Sequence, residues 1–290
     1  MAEQAPFDRA LLLSRRRRAA RRGGTGAEFL AGSVAAELSE RLSLVQRRFE
    51  TGADLGGSGG ELSARLRAGG QIGHLVRMEG SLDLLSGESG VVADEEALPF
   101  RDESLDLVAS ALSLHLTNDT PGVFVQVRRA LRPDGLFLAA LLGGETLNEL
   151  RASLLSAEAE LEGGASPRVS PFPDLRDVGS LLQRAGFALP VIDQDRLTVR
   201  YGSMFELMAD LQAMGMTSVL NARSRRPVSR RLFLRAAELY AERFADADGR
   251  IRATFDVVYV SGWRPHDSQQ KPLRPGSAKA SLAEALTPKA

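Results

Sequence analysis

The chain has no cysteine. That excludes disulfides, thiolate-held zinc or iron–sulfur centres and a thiol nucleophile together. Histidine is nearly as scarce. His74, His115 and His266 stand far apart and form no His-x-x-x-His pair, so no protein-built metal site is expected. Lysine is almost missing too. Of 37 basic residues only Lys271, Lys279 and Lys289 are not arginine, and because the excess runs over the whole chain, codon bias accounts for it. No apolar run approaches the roughly 20 residues that span a bilayer, so no transmembrane segment is expected. Net charge is absent as well. Thirty-seven acidic groups balance the basic ones, and nothing in that total calls for nucleic acid as a partner.

What remains is an ordinary globular composition. The 290 residues are 43% hydrophobic and 26% charged, enough to bury a substantial core in one large or two modest domains. Charge is uneven along the chain. Arg9, Arg15 to Arg18, Arg21 and Arg22 cluster beside the single acid Asp8, and Arg223 to Arg235 holds six arginines and no acid. Between them, Glu88 to Asp106 carries seven carboxylates and only Arg101. Such runs are solvated faces, or a basic surface for an acidic partner, a carrier or peripheral contact with a membrane headgroup.

Residues 1–27 read as a basic, adaptable N-terminal arm, 28–262 as the main domain with a helical insertion over about 202–246, and 263–290 as a polar, loosely held tail. From Glu28 a helical stripe runs through Leu30, Val34, Leu38, Leu42, Val45 and Phe49, and Arg48 to Asp54 is a poor strand. Ile72 to Met78, Val91 to Ala93, Leu105 to Leu112 and Leu136 to Leu142 read as strands. Thr120-Pro121 opens a helix, with Thr120 as its cap, that Arg132-Pro133-Asp134-Gly135 stops with a turn. Thr146-x-x-Glu149 and Ser203-x-x-Glu206 match capping boxes. Asp174 to Ala185 and Val228 to Phe244 read as further helices, and Leu189 to Tyr201 and Thr254 to Val260 as strands. The alternation predicts an α/β fold, a doubly wound parallel sheet covered on both faces.

The chemistry-bearing stretch is Asp54-Leu-Gly-Gly-Ser-Gly-Gly60. Glycines between a strand and a helix let backbone approach a ligand, although the same string also suits a flexible linker. His115 follows an apolar strand at the edge where open sheets place ligands, which makes it a candidate for acid–base or substrate work, or a satisfied histidine. Asn118 and Asp119 could orient a substrate amine or guanidinium, or cap the next helix. Glu149 and Arg151 fall on the same expected rim or form local salt bridges. The spacing of Met204, Met208, Met214 and Met216 suits core packing.

The order of glycine turn, Ala93-Asp94, Leu98-Pro99-Phe100, Leu105-Asp106-Leu107-Val108 and Leu131-Arg-Pro-Asp-Gly135 resembles class I S-adenosylmethionine-dependent methyltransferases. That resemblance implies a seven-stranded, mostly parallel Rossmann-like sheet with a reversed last strand, and S-adenosylmethionine as cofactor. It assigns Asp54, Gly56 and Gly60 to the methionine half, Asp94 to the adenine amino group and Leu98 to its vicinity. Phe7-Asp8-Arg9, Ala93 to Phe100, Ser110 to His115, Gly143-Gly-Glu-Thr-Leu147 with Arg151, Met204 to Met208, Gly262-Trp263 and Pro275-Gly-Ser277 sharpen it. Together they resemble the methyltransferase-like mitochondrial complex I assembly factor family and its proteobacterial relatives, and more distantly the enzyme that methylates malonyl on a carrier protein. The resemblance implies action on a protein or carrier substrate, with a respiratory complex I subunit as client. A non-catalytic assembly scaffold and a protein-arginine hydroxylase are the alternatives it leaves open. Two positions depart from the pattern. Ser58 replaces the middle glycine, and Met78 stands where a ribose-binding acid is expected, with Glu79 next. Phe7 opens the mature protein of the mitochondrial family, so its place here implies a bacterial cytoplasmic protein without a presequence.

Overall fold

The computed structural model describes residues 5–22, 29–56 and 59–270. Ser58, Pro275 to Ser277 and most of the expected tail lie outside the described residues. The strands are β1 (Phe49–Leu55), β2 (Ile72–Glu79), β3 (Gly90–Val92), β4 (Leu105–Ala111), β5 (Leu131–Leu142), β6 (Ala188–Tyr201) and β7 (Ile251–Trp263). They form one sheet in the order β3-β2-β1-β4-β5-β7-β6, parallel except that β7 runs against both neighbours. The order reverses between β1 and β4, so the crevice for a ligand lies beyond the carboxyl ends of those two strands.

Helices α1 (Arg9–Arg22), α2 (Phe29–Ser43), α3 (Glu61–Ala68), α4 (Thr120–Ala130), α5 (Asn148–Glu162), α6 (Leu175–Ala185), α7 (Met204–Ala213) and α8 (Arg230–Phe244) complete the described chain with two short 3₁₀ turns. Leu30, Val34 and Leu38 of α2, Leu62 and Leu66 of α3, and residues of α5, α7 and α8 bury one sheet face. Val123, Phe124 and Val127 of α4 and Val178 and Leu182 of α6 bury the other. A strand such as β4, buried at every position, is what a sheet covered on both faces requires. Helices α7 and α8 lie between β6 and β7, where the insertion is expected, and the four methionines pack into the first core.

Several local expectations change for physical reasons. The helix predicted through Phe49 stops at Ser43, because the Gln71 amide donates to the carbonyls of Leu42 and Val45 and takes over the helix end. Phe49 instead begins β1. That strand reads poorly because Gly52 must admit Leu75 and Ile72, which would lie 3.2 and 3.4 Å from a Cβ there, and because Asp106 accepts from the backbone N–H groups of Glu50 and Thr51. Asp119, one residue before the expected Thr120, caps α4 by accepting from Gly122 N–H at 2.8 Å. Arg132 to Gly135 is no free turn but the irregular start of β5, with Asp134 at φ 64°. Thr146 and Glu149 form no capping box. Thr146 Oγ1 bonds the Asp256 backbone, and the Glu149 carboxylate accepts from Thr254, so both fasten α5 to β7. The Ser203 cap does form, with Ser203 Oγ accepting from Glu206 N–H, while the Glu206 carboxylate reaches back to Gly202 N–H, one residue before the box position.

The N-terminal arm is ordered where it is described. Phe7 bridges Leu220, Asp8 N–H donates to Val219 O, and Phe7, Leu12, Val219 and Leu220 make a small core of their own. α1 buries only Leu12 and Ala19. It is held over the carboxyl edge of the sheet chiefly by arginine.

Candidate functional site

The site grows from the turn after β1. Asp54 is the next-to-last residue of that strand, 2% exposed, with Ser63 Oγ of α3 donating to Oδ2 at 2.6 Å. Its Oδ1 is buried and has no hydrogen-bond partner. Burial pushes the Asp54 carboxyl up to about 7, a rise that Ser63 and Arg77 oppose and nearby Glu79 reinforces. Gly56 and Gly60 both take positive φ, +60° and +93°. A Cβ on Gly60 would lie 2.8 Å from Nη1 of Arg77, a guanidinium 1% exposed and already fixed to Glu79 and Leu84 O. Gly60→Ala is therefore expected to cost about 1–3 kcal/mol, read as a lower denaturant midpoint with unchanged slope.

Glu79 is the last residue of β2, whereas Met78 is fully buried in the core toward α4. The carboxylate at this strand end thus comes from Glu79, the residue after the expected position. It accepts from Arg77 at 2.9 Å. Burial raises its pKa, and Arg77 and Arg16 offset part of the rise. Asp94 is exposed and pairs with Arg9 at 2.7 Å. Leu98 is half-buried against the core, its N–H donating to Gln126.

Four residues that the sequence reading passed over complete the edge. Glu95 is buried. Its Oε1 accepts from Ser113 Oγ at 2.5 Å and from Arg16 Nη1 at 2.8 Å, and its Oε2 accepts from Arg9. Burial alone would raise its pKa, but the two guanidiniums reverse the balance and hold it at about 2. Oε1 stands 3.3 Å from where a Gly56 Cβ would be, so Glu95 reaches the cradle itself. The signal was the middle one of three consecutive acids, Glu95 in Ala93-Asp-Glu-Glu96, too ordinary to single out by type.

His115 is buried. Burial, followed by the field of Arg16, lowers its pKa to about 3. Nδ1 accepts from Leu142 N–H at 3.4 Å, which assigns the ring proton to Nε2. The neutral ring is equipped to donate a hydrogen bond rather than to shuttle protons near neutral pH. Asn118 clamps the Phe7 backbone, accepting from its N–H and donating to its carbonyl, while Asp119 caps α4. His115 lines a cavity of about 200 Å³ with Phe7, Thr117 and Pro171. Pro171 also lines a larger one, about 450 Å³, with Arg151, Arg168 and Phe172. Arg151 donates to the carbonyls of Gly144, Thr146 and Ser170, and Glu149 is committed to Thr254.

The buried, unpartnered Asp54 oxygen and the glycine cradle fit the amino-acid end of S-adenosylmethionine. Among the described residues no group of three His, Cys, Asp or Glu could hold a metal ion.

Residues 53–139 match the methyltransferase domain family. The chain is 40% identical over 287 residues to the human protein named arginine-hydroxylase NDUFAF5, mitochondrial, covering 96% of this chain and 82% of that one. The zebrafish protein of that name is 47% identical over 194 residues, 67% of this chain and 60% of its own length. A malonyl-[acyl-carrier protein] O-methyltransferase of Xylella fastidiosa is 37% identical over 60% of this chain and 57% of its own. A Bacillus halodurans structure described as a methyltransferase shares the fold, with a TM-score of 0.56 and 16% identity over 81% of this chain and all of that one. The chain belongs to the NDUFAF5 family of the class I S-adenosylmethionine-dependent methyltransferase superfamily.

Proposed function

We propose that the protein binds S-adenosylmethionine and acts on a protein client in the assembly of respiratory complex I, in the bacterial cytoplasm. The observation that carries the reading is the Asp54 carboxylate, buried at a cost and left with an unpartnered acceptor beside Gly56 and Gly60. Bound adenosylmethionine would supply an electrophilic methyl group. This chain's own residues bind and align: Asp54 faces the amino-acid end, Glu79 the ribose and Asp94 the adenine. His115 lines the adjoining cavity with Phe7, its ring packed edge-on against Phe172, and its Nε2–H is left free to donate to a client group. Hydroxylation of a client arginine, after the relatives' name, is the second reading. A scaffold that holds a client without a cofactor is the third.

Calorimetric titration of the purified protein with S-adenosylmethionine tests the first reading. Micromolar binding is expected, and no heat at millimolar ligand would leave the scaffold. Mass spectrometry of the client separates the two chemistries, since it gains the mass of a methylene or of an oxygen atom.

The two arginine blocks supply a docking face. α1 packs at Gly215, and Arg15 lies close enough to Arg223 that burial and then that repulsion lower its pKa. Arg18, Arg22, Arg225, Arg226, Arg230 and Arg231 are exposed around them. An acidic client surface fits that face. Its affinity is expected to fall as salt rises from 50 to about 300 mM, because exposed charges are screened over roughly 10 Å or less. A salt-independent affinity would remove the face from docking.

A further inference from the structure

We propose that Glu95 and Ser113 form a subsite for the guanidinium of a client arginine, and that Arg16 of the chain itself occupies it as a built-in competitor. This deepens the client reading above and rests on it for the identity of the ligand's carrier, a protein.

The bonding is that of guanidinium recognition. Arg16 Nη1 donates to Glu95 Oε1 at 2.8 Å while Nη2 donates to Ser113 Oγ at 3.1 Å, and Ser113 Oγ in turn donates to the same Oε1. Two terminal nitrogens on two adjacent acceptors need a planar fork, which arginine has and lysine lacks. The Glu95 side chain is 4% exposed and that of Arg16 is 14% exposed, so the pair is held away from bulk water. The subsite lies between the Gly56 cradle and His115, where a client side chain would meet the cofactor's end of the crevice.

Arg16 is not the sole tie on Glu95. Arg9 bonds the other carboxylate oxygen, Oε2, and also pairs with Asp94 and, at 3.9 Å, with Glu96, so Glu95 keeps one guanidinium when Arg16 leaves. Of the four consecutive arginines Arg15 to Arg18, only Arg16 bonds this carboxylate. Arg15 donates to Ser218 O, Arg17 pairs with Asp83, and Arg18 is exposed. Release of Arg16 breaks two hydrogen bonds and leaves the anchors at Phe7 and Arg9 intact. A client arginine then replaces like with like.

The test uses the full chain, with N-acetyl-arginine amide as probe and N-acetyl-lysine amide as control, by calorimetry. Arg16→Ala is expected to tighten arginine binding by about tenfold or more, because the apparent affinity of a self-occupied site is reduced by its free fraction. The lysine probe should gain less. Adding Glu95→Gln or Ser113→Ala to that variant should remove the gain. Arg16→Gln, which keeps a long side chain on α1, repeats the measurement if the alanine variant melts early. Unchanged arginine affinity in both Arg16 variants would overturn the proposal and leave a structural ion pair. So would a gain in S-adenosylmethionine binding alone, since Arg16 would then stand in for the cofactor's cation. If S-adenosylmethionine fails to bind while the arginine probe responds as expected, the cofactor reading falls and the subsite stands.

Discussion

Asp54→Asn is expected to raise the unfolding midpoint at pH 8 and, in the same protein, to weaken S-adenosylmethionine binding tenfold or more. The two effects share one cause. In the unfolded chain the Asp54 carboxyl ionises near its ordinary value of 3.8, whereas in the folded chain burial holds the proton until about pH 7. Below pH 4 both states are protonated and the group costs nothing. Between about 4 and 7 the unfolded chain has released a proton that the folded chain keeps, so stability falls as pH rises. Above 7 the full penalty remains, on the order of 2–4 kcal/mol. Asparagine has the same shape without the charge, and Ser63 can still bond it. Unfolding followed by circular dichroism from pH 4 to 8 should show the wild-type midpoint dropping more steeply than that of the variant. Binding moves the other way, because the carboxylate is the acceptor that the ligand's N–H donors require, so wild-type affinity should rise with pH through 7. A variant that matches the wild type in its pH slope, or that binds the ligand as well, would mean Oδ1 is satisfied in solution and has no ligand to receive.

Most of the sheet was legible because buried parallel strands announce themselves as apolar runs, as Leu105 to Ala111 and Leu136 to Leu142 do. β1 was obscure because its residues are mostly small or polar. It carries Gly52, Ala53 and Asp54 instead of branched apolar residues, since a central strand leading into a cradle needs small side chains and one polar end. The glycine turn could be named from residue type and order; Asp54, Glu79 and Asp94 were named through the resemblance to the methyltransferase pattern. Glu95, Ser113, Arg9 and Arg16 could not be named as site residues by either route. Their meaning comes from a contact between segments separated by 79 to 97 positions in the case of Arg16, and no periodicity within one element encodes it. The polar string at Thr146 and Glu149 misled for the same reason. Its side chains answer to β7 rather than to the helix they precede.

Arg77→Met should be the most destabilising of these substitutions, by about 3–5 kcal/mol, because it strips the partner from a buried carboxylate. Arg77 is 1% exposed and lies 2.9 Å from Glu79, itself 3% exposed, and it also donates to Leu84 O at 2.8 Å. Without it Glu79 must either stay charged in a poorly solvated place or take up a proton. Pairing Arg77→Met with Glu79→Gln removes both charges and should recover much of the loss, so a double-mutant cycle in denaturant should report strong coupling. The same pair settles what Glu79 contributes to the ligand. Its carboxylate is already engaged by Arg77, whereas the Asp54 Oδ1 has no partner. Asp54→Ala should therefore weaken S-adenosylmethionine binding more than Glu79→Ala, while Glu79→Ala should cost more stability than affinity. Equal losses of affinity would show Glu79 turning its second oxygen to the ribose hydroxyls, with Arg77 acting as the brace that aims it.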